Sequence, residues 1–477
     1  MSGARDEVLV IGAGIAGLVA ARELVLLGHS VRILESSARA GGQLEGLELD
    51  GLRVDLGADR FTAGDELAAM LERLALGDSL VASDAVRTWI RTPDARTLPA
   101  PEPTLLGIPM TALASDTVAL IGRRAGWRAQ LDALMPGPVG ARSATLGALV
   151  RRRLGDEVLH SVVAPIVVGL RGVHPDDLPL SAVSGLAHHL LRENSLARAV
   201  ARVRLEGAVA GQLDQPVATL QGGTSALLDR LLAELERFGV PIEHGVTVAS
   251  VAPDHVVLAG GSAEAVGPAE RAEPGETAGP VEPGESVEPD PALVRSGRVL
   301  VAAPGLVAPG LASTDADADA APPPRTVTYT GTVAVLVVDA GAGVADALGG
   351  ALPAGGVLVD PRGPSPVRAL DLPTARWGPL RDAAGGRAVV RVHYRDAPAE
   401  HPVDPEQARR DAAELLGVSI PPAAVRAAAV RSWRTAERID AAASEVPVVG
   451  EQAVGADLAR IVAHARATAR AFGAAED

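Results

Sequence analysis

The chain has 477 residues, of which 47% are hydrophobic, and a formal net charge of −15. A chain of this length predicts two or three domains, each able to bury a core. The charge argues against a nucleic-acid partner, and the absence of cysteine excludes disulfides, thiolate metal sites and a cysteinyl link to a cofactor.

The first apolar run lacks the features of a secretory leader. Asp6 and Glu7 stand where a leader carries basic residues, and Arg22 and Glu23 interrupt the run. No other segment has the unbroken apolar length that spans a bilayer. We therefore expect a cytoplasmic protein, with any membrane contact peripheral and at the inner face.

The first predicted elements are a strand at residues 7–11, a glycine-rich turn and a helix. The turn reads Gly12-Ala13-Gly14-Ile15-Ala16-Gly17. Gly12 allows the tight turn, Gly14 lets a pyrophosphate approach the backbone, and Gly17 lets the helix pack on the strand. A glycine-rich turn is also a common strand-to-helix connection. Here, however, the preceding strand, the glycine spacing and the following helix all match a dinucleotide-binding turn. The segment therefore predicts a dinucleotide site at the helix N-terminus.

An acidic residue follows the second predicted strand. The run Val31-Arg32-Ile33-Leu34 ends in Glu35, which completes a βαβ unit. At the tip of that strand a carboxylate can accept hydrogen bonds from both hydroxyls of an adenosine ribose, and it disfavours a 2′-phosphate. Glu35 is therefore predicted to bind the ribose.

Two segments from Glu35 onward resemble the extended signature of the flavin amine oxidase superfamily. They are Glu35-Ser36-Ser37-Ala38-Arg39-Ala40-Gly41-Gly42-Gln43 and Asp50-Gly51-Leu52-Arg53-Val54-Asp55-Leu56-Gly57-Ala58-Asp59. In that superfamily the arginine and the paired glycines continue around the FAD pyrophosphate, and the Asp-x-Gly-Ala turn approaches the flavin ring. The resemblance implies FAD as the cofactor. It adds to the predicted site Ser36, Arg39, Gly41, Gly42, Gln43, Gly57, Ala58 and Asp59.

The segment from Met110 to Arg204 has a helical pattern. Within it, residues 146–158, which end in Gly155-Asp156-Glu157-Val158, and residues 163–180 resemble the helical domain of protoporphyrinogen and coproporphyrinogen oxidases. In that family a Gly-Asp-Glu-Val helix and a proline-containing turn precede the glycine-flanked segment that lines the substrate cavity. Arg171 lies in the part of this chain that matches the cavity-lining segment of the family.

Residues 220–248 return the chain to the predicted cofactor domain. Gly222-Gly223 precede a predicted helix and a strand that reaches Val248. In the family a valine in this position packs on the adenine, and a core valine is the alternative interpretation. Residues 260–295 are rich in proline, glycine and acidic residues and contain no aromatic residue. That composition predicts a disordered surface loop.

The part between residues 327 and 416 predicts the sheet of a substrate domain. Three runs rich in β-branched residues are Val327 to Val338, Gly356 to Val359 and Arg387 to Tyr394. Asp404-Pro405 opens a predicted helix that reaches Leu416, with aspartate as N-cap and proline at the first helical position.

The carboxy-terminal segment contains Gly450-Glu451, then Gly455-Ala456-Asp457, then a predicted helix from Leu458 to Ala471. In flavin amine oxidases a strand ends in Gly-Asp or Gly-Glu beside the ribityl chain. The next helix points its N-terminus at the flavin, where its dipole stabilises negative charge on the reduced ring. The resemblance thereby implies Gly450, Glu451, Gly455 and Ala456 as cofactor residues.

These expectations define an α/β fold class with three domains. A Rossmann-like FAD-binding domain comprises residues 1–80, 216–305 and 426–477. An inserted helical domain, residues 100–213, faces the substrate or a membrane. A mixed sheet from residues 81–99 and 306–425 forms the substrate domain.

The resemblance implies FAD-dependent oxidation of a porphyrinogen, coproporphyrinogen III or protoporphyrinogen IX, to the porphyrin in haem biosynthesis, with dioxygen as the final acceptor. The chemistry resides in the cofactor and the electron-rich macrocycle, so the role of the protein is mainly to orient and shield these reacting groups. No catalytic acid or base is therefore predicted. The substrate carboxylates need cationic partners. Arg96 and Arg171 are the candidates, with an ordinary surface role as the alternative for each.

Two other functions are compatible with the sequence. One is an oxidoreductase of the same fold that acts on amines or carotenoids. Two tyrosines, three phenylalanines and four tryptophans support poorly the aromatic cage that is typical of amine oxidases. The other is a non-catalytic paralogue. The feature that supports it is the short Gly455-Ala456 segment, because porphyrinogen oxidases usually carry a richer glycine and proline pattern before this helix. No metal site is predicted, because the ten histidines are scattered.

Overall fold

The structure, a computed structural model, describes most of the chain. The described residues are 7–62, 64–84, 86–183, 185–209, 217–253, 255–259, 293–295, 298–303, 306, 326–339, 341, 355–395, 403–438, 446–455 and 457–474. Ala456 and residues 260–292 of the predicted loop lie outside these ranges.

The strands and helices follow in chain order. The strands are β1 (Val8–Ile11), β2 (Val31–Glu35), β3 (Gly46–Leu49), β4 (Leu52–Asp55), β5 (Phe61–Thr62), β6 (Leu80–Ala82), β7 (Trp89–Arg91), β8 (Thr97–Pro99), β9 (Thr104–Leu105), β10 (Ile108–Pro109), β11 (Val217–Leu220), β12 (Ile242–His244), β13 (Val248–Val251), β14 (His255–Leu258), β15 (Leu293–Arg295), β16 (Arg298–Val301), β17 (Thr326–Asp339), β18 (Val357–Val359), β19 (Val367–Asp371), β20 (Arg387–Tyr394) and β21 (Val425–Arg438). The helices are α1 (Ile15–Leu26), α2 (Asp65–Arg73), α3 (Ser115–Gln130), α4 (Leu146–Arg153), α5 (Asp156–Val158), α6 (Ala164–Arg171), α7 (Leu186–Glu193), α8 (Leu196–Val209), α9 (Ser225–Arg237), α10 (Pro373–Arg376), α11 (Gly378–Ala384), α12 (Pro405–Leu416), α13 (Glu451–Val454) and α14 (Leu458–Ala474).

A parallel sheet carries the predicted dinucleotide turn. Its strand order is β12-β2-β1-β16, and β1 pairs in parallel with both β2 and β16. Helix α1 crosses from β1 to β2 and buries Leu18, Val19 and Leu24, while Val462 and Ala465 of α14 belong to the same core. Because α1 and α14 meet through small and branched side chains, the carboxy-terminal helix lies close to the amino-terminal turn.

A second, seven-stranded sheet has the order β21-β17-β20-β19-β18-β7-β8. Its pairs are antiparallel except β18 with β7, which is parallel. Alternate residues of β17 serve two cores. Val333 and Val335 pack with Leu52 and Val54 of the β3–β4 hairpin, whereas residues such as Leu336 pack on the side covered by α12.

The region between the two parts of the first domain is mainly helical. Helices α5 and α6 are joined without a break by a π-helical stretch, Leu159–Val163. Buried Arg153 donates to Asp132, with 2.5 Å between Nε and Oδ1, and Asp132 also accepts from the backbone N–H of Leu196. This buried pair ties α4 to the start of α8. Among the described residues, no helix combines the length and apolar character that crossing a bilayer requires.

The predicted α/β class, with mixed and parallel sheets and a helical insertion, is confirmed, but some boundaries differ. Strand β21 spans Val425–Arg438 and pairs with β17 along its length. Residues 426–438 therefore lie in the large sheet and not in the nucleotide-binding part. Leu293–Arg295, the end of the predicted disordered loop, forms β15 and pairs with β14.

Candidate cofactor and substrate site

The turn between β1 and α1 has the geometry that the glycine spacing predicts. Gly12 has φ +103°, and a Cβ on Gly17 would lie 2.0 Å from the Gly12 carbonyl oxygen. At Gly14, by contrast, an added Cβ would meet no atom within 4 Å. Gly12 and Gly17 are thus required by the backbone itself, whereas Gly14 borders open space where a phosphate could approach.

The N-terminus of α1 is suited to an anion. No side chain caps it, and its first turn holds no acidic residue. The backbone N–H groups of a helix N-terminus and the helix dipole favour negative charge there. Together with the space at Gly14, this free helix end fits the pyrophosphate of a dinucleotide.

Glu35 is held at the end of β2, beside the same turn. Its Oε2 accepts a hydrogen bond from the Ala13 backbone N–H at 2.7 Å. Its Oε1 accepts from the Ser37 backbone N–H at 2.8 Å and from the Ser37 hydroxyl at 2.7 Å, while neighbouring Ser36 is exposed. A carboxylate has further lone pairs, so this arrangement orients Glu35 and leaves it capacity to accept from a ribose.

The Arg39–Gln43 segment closes over the glycine turn. Gly41 forms a bridge with Gly14, and its N–H donates to the Ala13 carbonyl at 2.8 Å. A Cβ on Gly42 would lie 3.3 Å from the Gly14 Cα. Arg39 pairs with Glu45 at 2.5 Å. The paired glycines therefore allow two backbone segments to touch where the predicted pyrophosphate site lies.

The carboxy-terminal motif meets the same two segments. Gln43 Nε2 donates to Glu451 Oε2 at 2.8 Å. A Cβ on Gly450, which has φ +103°, would lie 3.3 Å from the Ala16 Cβ. Gly455 follows α13 with φ +82°. Residues that are distant in the sequence are thus brought together around the start of α1, as the resemblance predicts for one cofactor site.

The Gly57–Asp59 turn packs beneath Gln43. The Ala58 N–H donates to the Gln43 carbonyl at 3.0 Å, and a Cβ on Gly57 would lie 1.8 Å from that carbonyl oxygen. On its other side, Arg391 of β20 donates through Nη2 to the Gly57 carbonyl. The turn is therefore clamped between the nucleotide-binding segments and the large sheet.

A buried cluster of charges surrounds Asp59. Arg60 Nε lies 2.9 Å from Asp59 Oδ1, Arg391 Nη1 lies 2.9 Å from Asp59 Oδ2, and Arg60 also pairs with Asp371 at 3.6 Å. His393 Nε2 lies 2.8 Å from Asp371 Oδ2. The cluster combines two carboxylates with two guanidinium groups beside the predicted flavin turn.

Burial and the neighbouring charges shift the pKa values of Asp59, Asp371 and His393. Burial is the largest single influence on Asp59 and Asp371 and opposes their ionisation, but the combined attraction of Arg391, Arg60 and, for Asp371, His393 outweighs it. The pKa of each carboxyl therefore lies below its usual range. Burial lowers the pKa of His393 to about 4, against the opposing effect of Asp371. At neutral pH the imidazole is neutral and can donate to the ionised Asp371.

Sequence reasoning missed Arg60, Asp371, Arg391 and His393. A signal was present, because Arg391 and His393 alternate with valines in a strand that is buried along most of its length. Charged or titratable groups in such a strand require partners. Their partners come from β19 and from the Gly57–Asp59 turn, which only the folded chain brings together.

The two predicted substrate arginines lie in different settings. Arg96 lies at the tip of the β7–β8 hairpin, where its exposed side chain pairs with Asp94 at 2.7 Å. Arg171 is half-buried at the end of α6. Arg368 of β19 donates to the Gly169 carbonyl at 2.7 Å, which fixes the end of α6 against the large sheet. These contacts favour a surface role for Arg96 and leave Arg171 as the stronger substrate candidate.

Val248 lies in a core, and its predicted contact with an adenine stays a prediction. It is buried and belongs to the cluster that includes Leu9, Ile11 and Leu34 of the parallel sheet. Within the described part of the chain, no group of three or more histidine, aspartate or glutamate side chains could hold a metal ion.

Comparison with known proteins identifies relatives of this chain. The model of the family described as flavin containing amine oxidoreductase matches residues 15–270. The coproporphyrinogen III oxidase of Propionibacterium freudenreichii subsp. freudenreichii is 27% identical over 286 residues, which cover 54% of this chain and 54% of that protein. The coproporphyrinogen III oxidase of Bacillus subtilis is 28% identical over 249 residues, with 50% and 52% covered. The chain thus matches about half the length of these curated relatives.

Solved structures share the fold over nearly the whole chain. A protein from Exiguobacterium, provisionally described as a protoporphyrinogen oxidase, superposes with a TM-score of 0.69 at 18% identity, covering 99% of each chain. A putrescine oxidase with bound putrescine gives a TM-score of 0.53 at 14% identity and covers 98% of each chain. At such identities the likeness establishes the fold alone.

Proposed function

The chain belongs to the flavin containing amine oxidoreductase family, and from that premise we propose that it is an FAD-dependent oxidase that converts a porphyrinogen to the porphyrin. The observation that carries the proposal is the convergence of the Gly12–Gly17 turn, the Arg39–Gln43 segment and the Gly450–Gly455 motif around one helix end. The predicted resemblance to the porphyrinogen oxidases agrees with two relatives named coproporphyrinogen III oxidase.

The residues around α1 would hold FAD without a covalent link. The free N–H groups of the first turn would bind the pyrophosphate, and Glu35 would accept hydrogen bonds from the ribose. Glu35 disfavours a 2′-phosphate, and the family contains a flavin, so FAD is the dinucleotide that these residues fit best. When bound, FAD supplies the acceptor for hydride equivalents from the saturated ring carbons of the substrate, and dioxygen serves as the final oxidant.

The chain's own contribution would be orientation and shielding. Arg391 holds the Gly57 carbonyl and neutralises Asp59, which keeps the turn beneath Gln43 rigid. His393, neutral at physiological pH, and Asp371 extend the polar surface of the large sheet beside that turn. Arg171, at the end of α6, would bind a substrate carboxylate as a guanidinium group does in paired hydrogen bonds.

Two porphyrinogens are candidate substrates. Coproporphyrinogen III and protoporphyrinogen IX differ in their number of carboxylates, and the relatives compared above are named for coproporphyrinogen. We propose coproporphyrinogen III as the substrate and haem biosynthesis as the pathway. We also propose that the protein is cytoplasmic and that any contact with a membrane is peripheral.

The test is anaerobic reduction of the bound flavin. The purified protein is expected to be yellow, to release FAD on denaturation, and to lose its flavin absorption when coproporphyrinogen III is added without oxygen. Admission of air should restore the absorption and yield a fluorescent porphyrin. A colourless protein that does not take up FAD would remove the proposal, and a flavoprotein reduced only by an amine would replace it with amine oxidation.

A further inference from the structure

A largely buried carboxylate joins the predicted cofactor segment to the large sheet. Glu45 follows that segment and directly precedes β3, and only 11% of its side chain is exposed. Arg39 contacts it from the cofactor segment, with 2.5 Å between Nη2 and Oε2. Arg431 of β21 contacts the same carboxylate. We name these three residues the Glu45 triad.

Arg431 holds the carboxylate of Glu45 through several contacts. Its Nε lies 2.9 Å from Oε1 and 3.0 Å from Oε2, and its Nη2 lies 2.8 Å from Oε1. Multiple contacts between a guanidinium and a carboxylate restrict the geometry of both groups. The orientation of Glu45 is therefore set by a strand of the large sheet, although the two residues are 386 positions apart in the sequence.

The same carboxylate fixes the guanidinium of Arg39 beside the glycine turn. Arg39 also donates through Nη2 to the Gly42 carbonyl at 3.1 Å and through Nη1 to the Ala40 carbonyl at 3.4 Å. A Cβ on Gly42 would lie 3.3 Å from the Gly14 Cα. The guanidinium is thus held near the open space at Gly14, where the pyrophosphate would bind, and 39% of the Arg39 side chain is exposed.

Glu45 has two opposite effects on an anion bound at this position. Its negative charge repels phosphate, but the paired Arg431 offsets that charge, so the triad as a whole carries one positive charge. Its contact with Arg39 favours binding, because a long side chain that is already ordered loses less rotamer freedom when a ligand contacts it. Which of the two effects is larger determines the role of Glu45.

We propose that Glu45 is a positioning residue for FAD. It orders Arg39 for contact with the pyrophosphate, and Arg431 orients Glu45 and offsets its charge. The inference rests on the proposed FAD site and deepens it, because it makes a strand of the large sheet part of the nucleotide-binding machinery. Neither Glu45 nor Arg431 is among the residues that the sequence predicted to bind the cofactor.

The sign of one substitution separates positioning from simple electrostatics. Glu45→Gln removes a negative charge, which alone would tighten the binding of phosphates, whereas loss of positioning weakens it. We expect Glu45→Gln to weaken FAD and ADP at least about threefold, as loss of one net hydrogen bond gives. Adenosine, which has no phosphate, should bind unchanged. On the full-length protein, quenching of FAD fluorescence gives its dissociation constant, and displacement of FAD gives those of ADP and adenosine.

A double-mutant cycle with Arg39 locates the effect. Arg39→Gln should weaken FAD and ADP at least about tenfold, as loss of a hydrogen bond to a charged group gives. Once Arg39 is replaced, Glu45→Gln and Arg431→Gln should cause no further loss. With Arg39 present, Arg431→Gln should weaken ADP by a smaller factor than Glu45→Gln does. Glu48→Gln, a matched change at an exposed residue of β3, should change nothing.

Several results would overturn the proposal. These are tighter or unchanged ADP binding in Glu45→Gln, equal losses for ADP and adenosine, or a loss that is the same with and without Arg39. If Glu45→Gln does not fold, as judged by circular dichroism, the dependence of the Arg431→Gln effect on Arg39 decides the question. A protein that binds ADP as expected but oxidises no porphyrinogen refutes the proposed reaction alone, whereas one that binds neither FAD nor ADP refutes both.

Discussion

Arg391 Nη1 lies 2.9 Å from Asp59 Oδ2, and both side chains are buried, with 2% and 8% of their surface exposed. The two residues come from β20 of the large sheet and from the predicted flavin turn. Arg391 also donates to the Gly57 carbonyl, so one side chain joins β20 to the Gly57–Asp59 turn through both an ion pair and a contact with the backbone.

Breaking this pair should destabilise the protein strongly. In Arg391→Gln, Asp59 loses a buried partner and keeps only Arg60, and loss of one member of a buried ion pair costs about 3–5 kcal/mol. The measurement is the free energy of unfolding by urea. Arg96→Gln is the control, because its pair with Asp94 is exposed and contributes about 0–1 kcal/mol. Equal losses in the two variants would contradict the structural role of Arg391.

The two glycines of the α1 turn should respond in opposite ways. In Gly14→Ala the new Cβ meets no protein atom within 4 Å and φ is −70°, so the fold should tolerate it. The methyl group would, however, keep the pyrophosphate from the backbone, and the loss of one charge-assisted hydrogen bond, about 1.5–3 kcal/mol, weakens FAD binding at least about tenfold. Flavin retained after gel filtration measures this effect.

Gly17→Ala is the companion variant. Its Cβ would lie 2.0 Å from the Gly12 carbonyl oxygen, and overpacking of this kind costs about 1–3 kcal/mol. We expect a lower urea midpoint for the apoprotein of Gly17→Ala and an unchanged midpoint for Gly14→Ala. The reverse order would show that the turn does not have the geometry described.

How far the sequence predicts the structure depends on whether the signal is local. Strand β20 has the predicted bounds, and Asp404 caps α12 by accepting from the Gln407 N–H at 2.6 Å, because alternation and capping are properties of neighbouring residues. The glycine turn, Glu35 and the Gly41–Gly42 pair likewise lie together as predicted.

Non-local features were not predictable in this way. Strand β21 is rich in alanine and arginine, which do not favour a strand on their own, and it is extended because it pairs with β17. The cluster of Asp59, Asp371, Arg391 and His393 arises from three separate segments. No spacing in the sequence encodes the contact among these three segments. The only indication of it was the presence of charged residues within a buried strand.

His393 should make stability depend on pH. Its pKa is lowered to about 4 by burial, below the value of about 6.5 in an unfolded chain. Between these values the unfolded state binds more protons, so stability is complete above pH 6.5 and falls as the pH drops towards 4. The difference amounts to at most about 3 kcal/mol. Asp371, whose pKa is lowered, acts in the same direction but only below about pH 4.

Urea unfolding between pH 4 and 7 measures this dependence. His393→Gln should flatten it, whereas His188→Gln, at an exposed position of α7, should not. Burial also lowers the pKa of His464, so part of the slope should remain in His393→Gln. A slope equal to that of the unmodified protein would show that His393 is not held neutral by burial.

Arg171 should affect substrate binding more than Arg96 does. Arg171 ends the helix that Arg368 fixes against the large sheet, whereas Arg96 pairs with Asp94 at the tip of a surface hairpin. Removing a guanidinium group that binds a carboxylate costs about 1.5–3 kcal/mol, so Arg171→Ala should raise the KM for coproporphyrinogen III about tenfold or more. The flavin content and the kcat should change little, because the contact is made before the reaction. Arg96→Ala, assayed in parallel, should keep the KM of the unmodified protein. An unchanged KM in Arg171→Ala would exclude this arginine from the substrate site, and an effect on kcat alone would instead indicate a role in orienting the macrocycle.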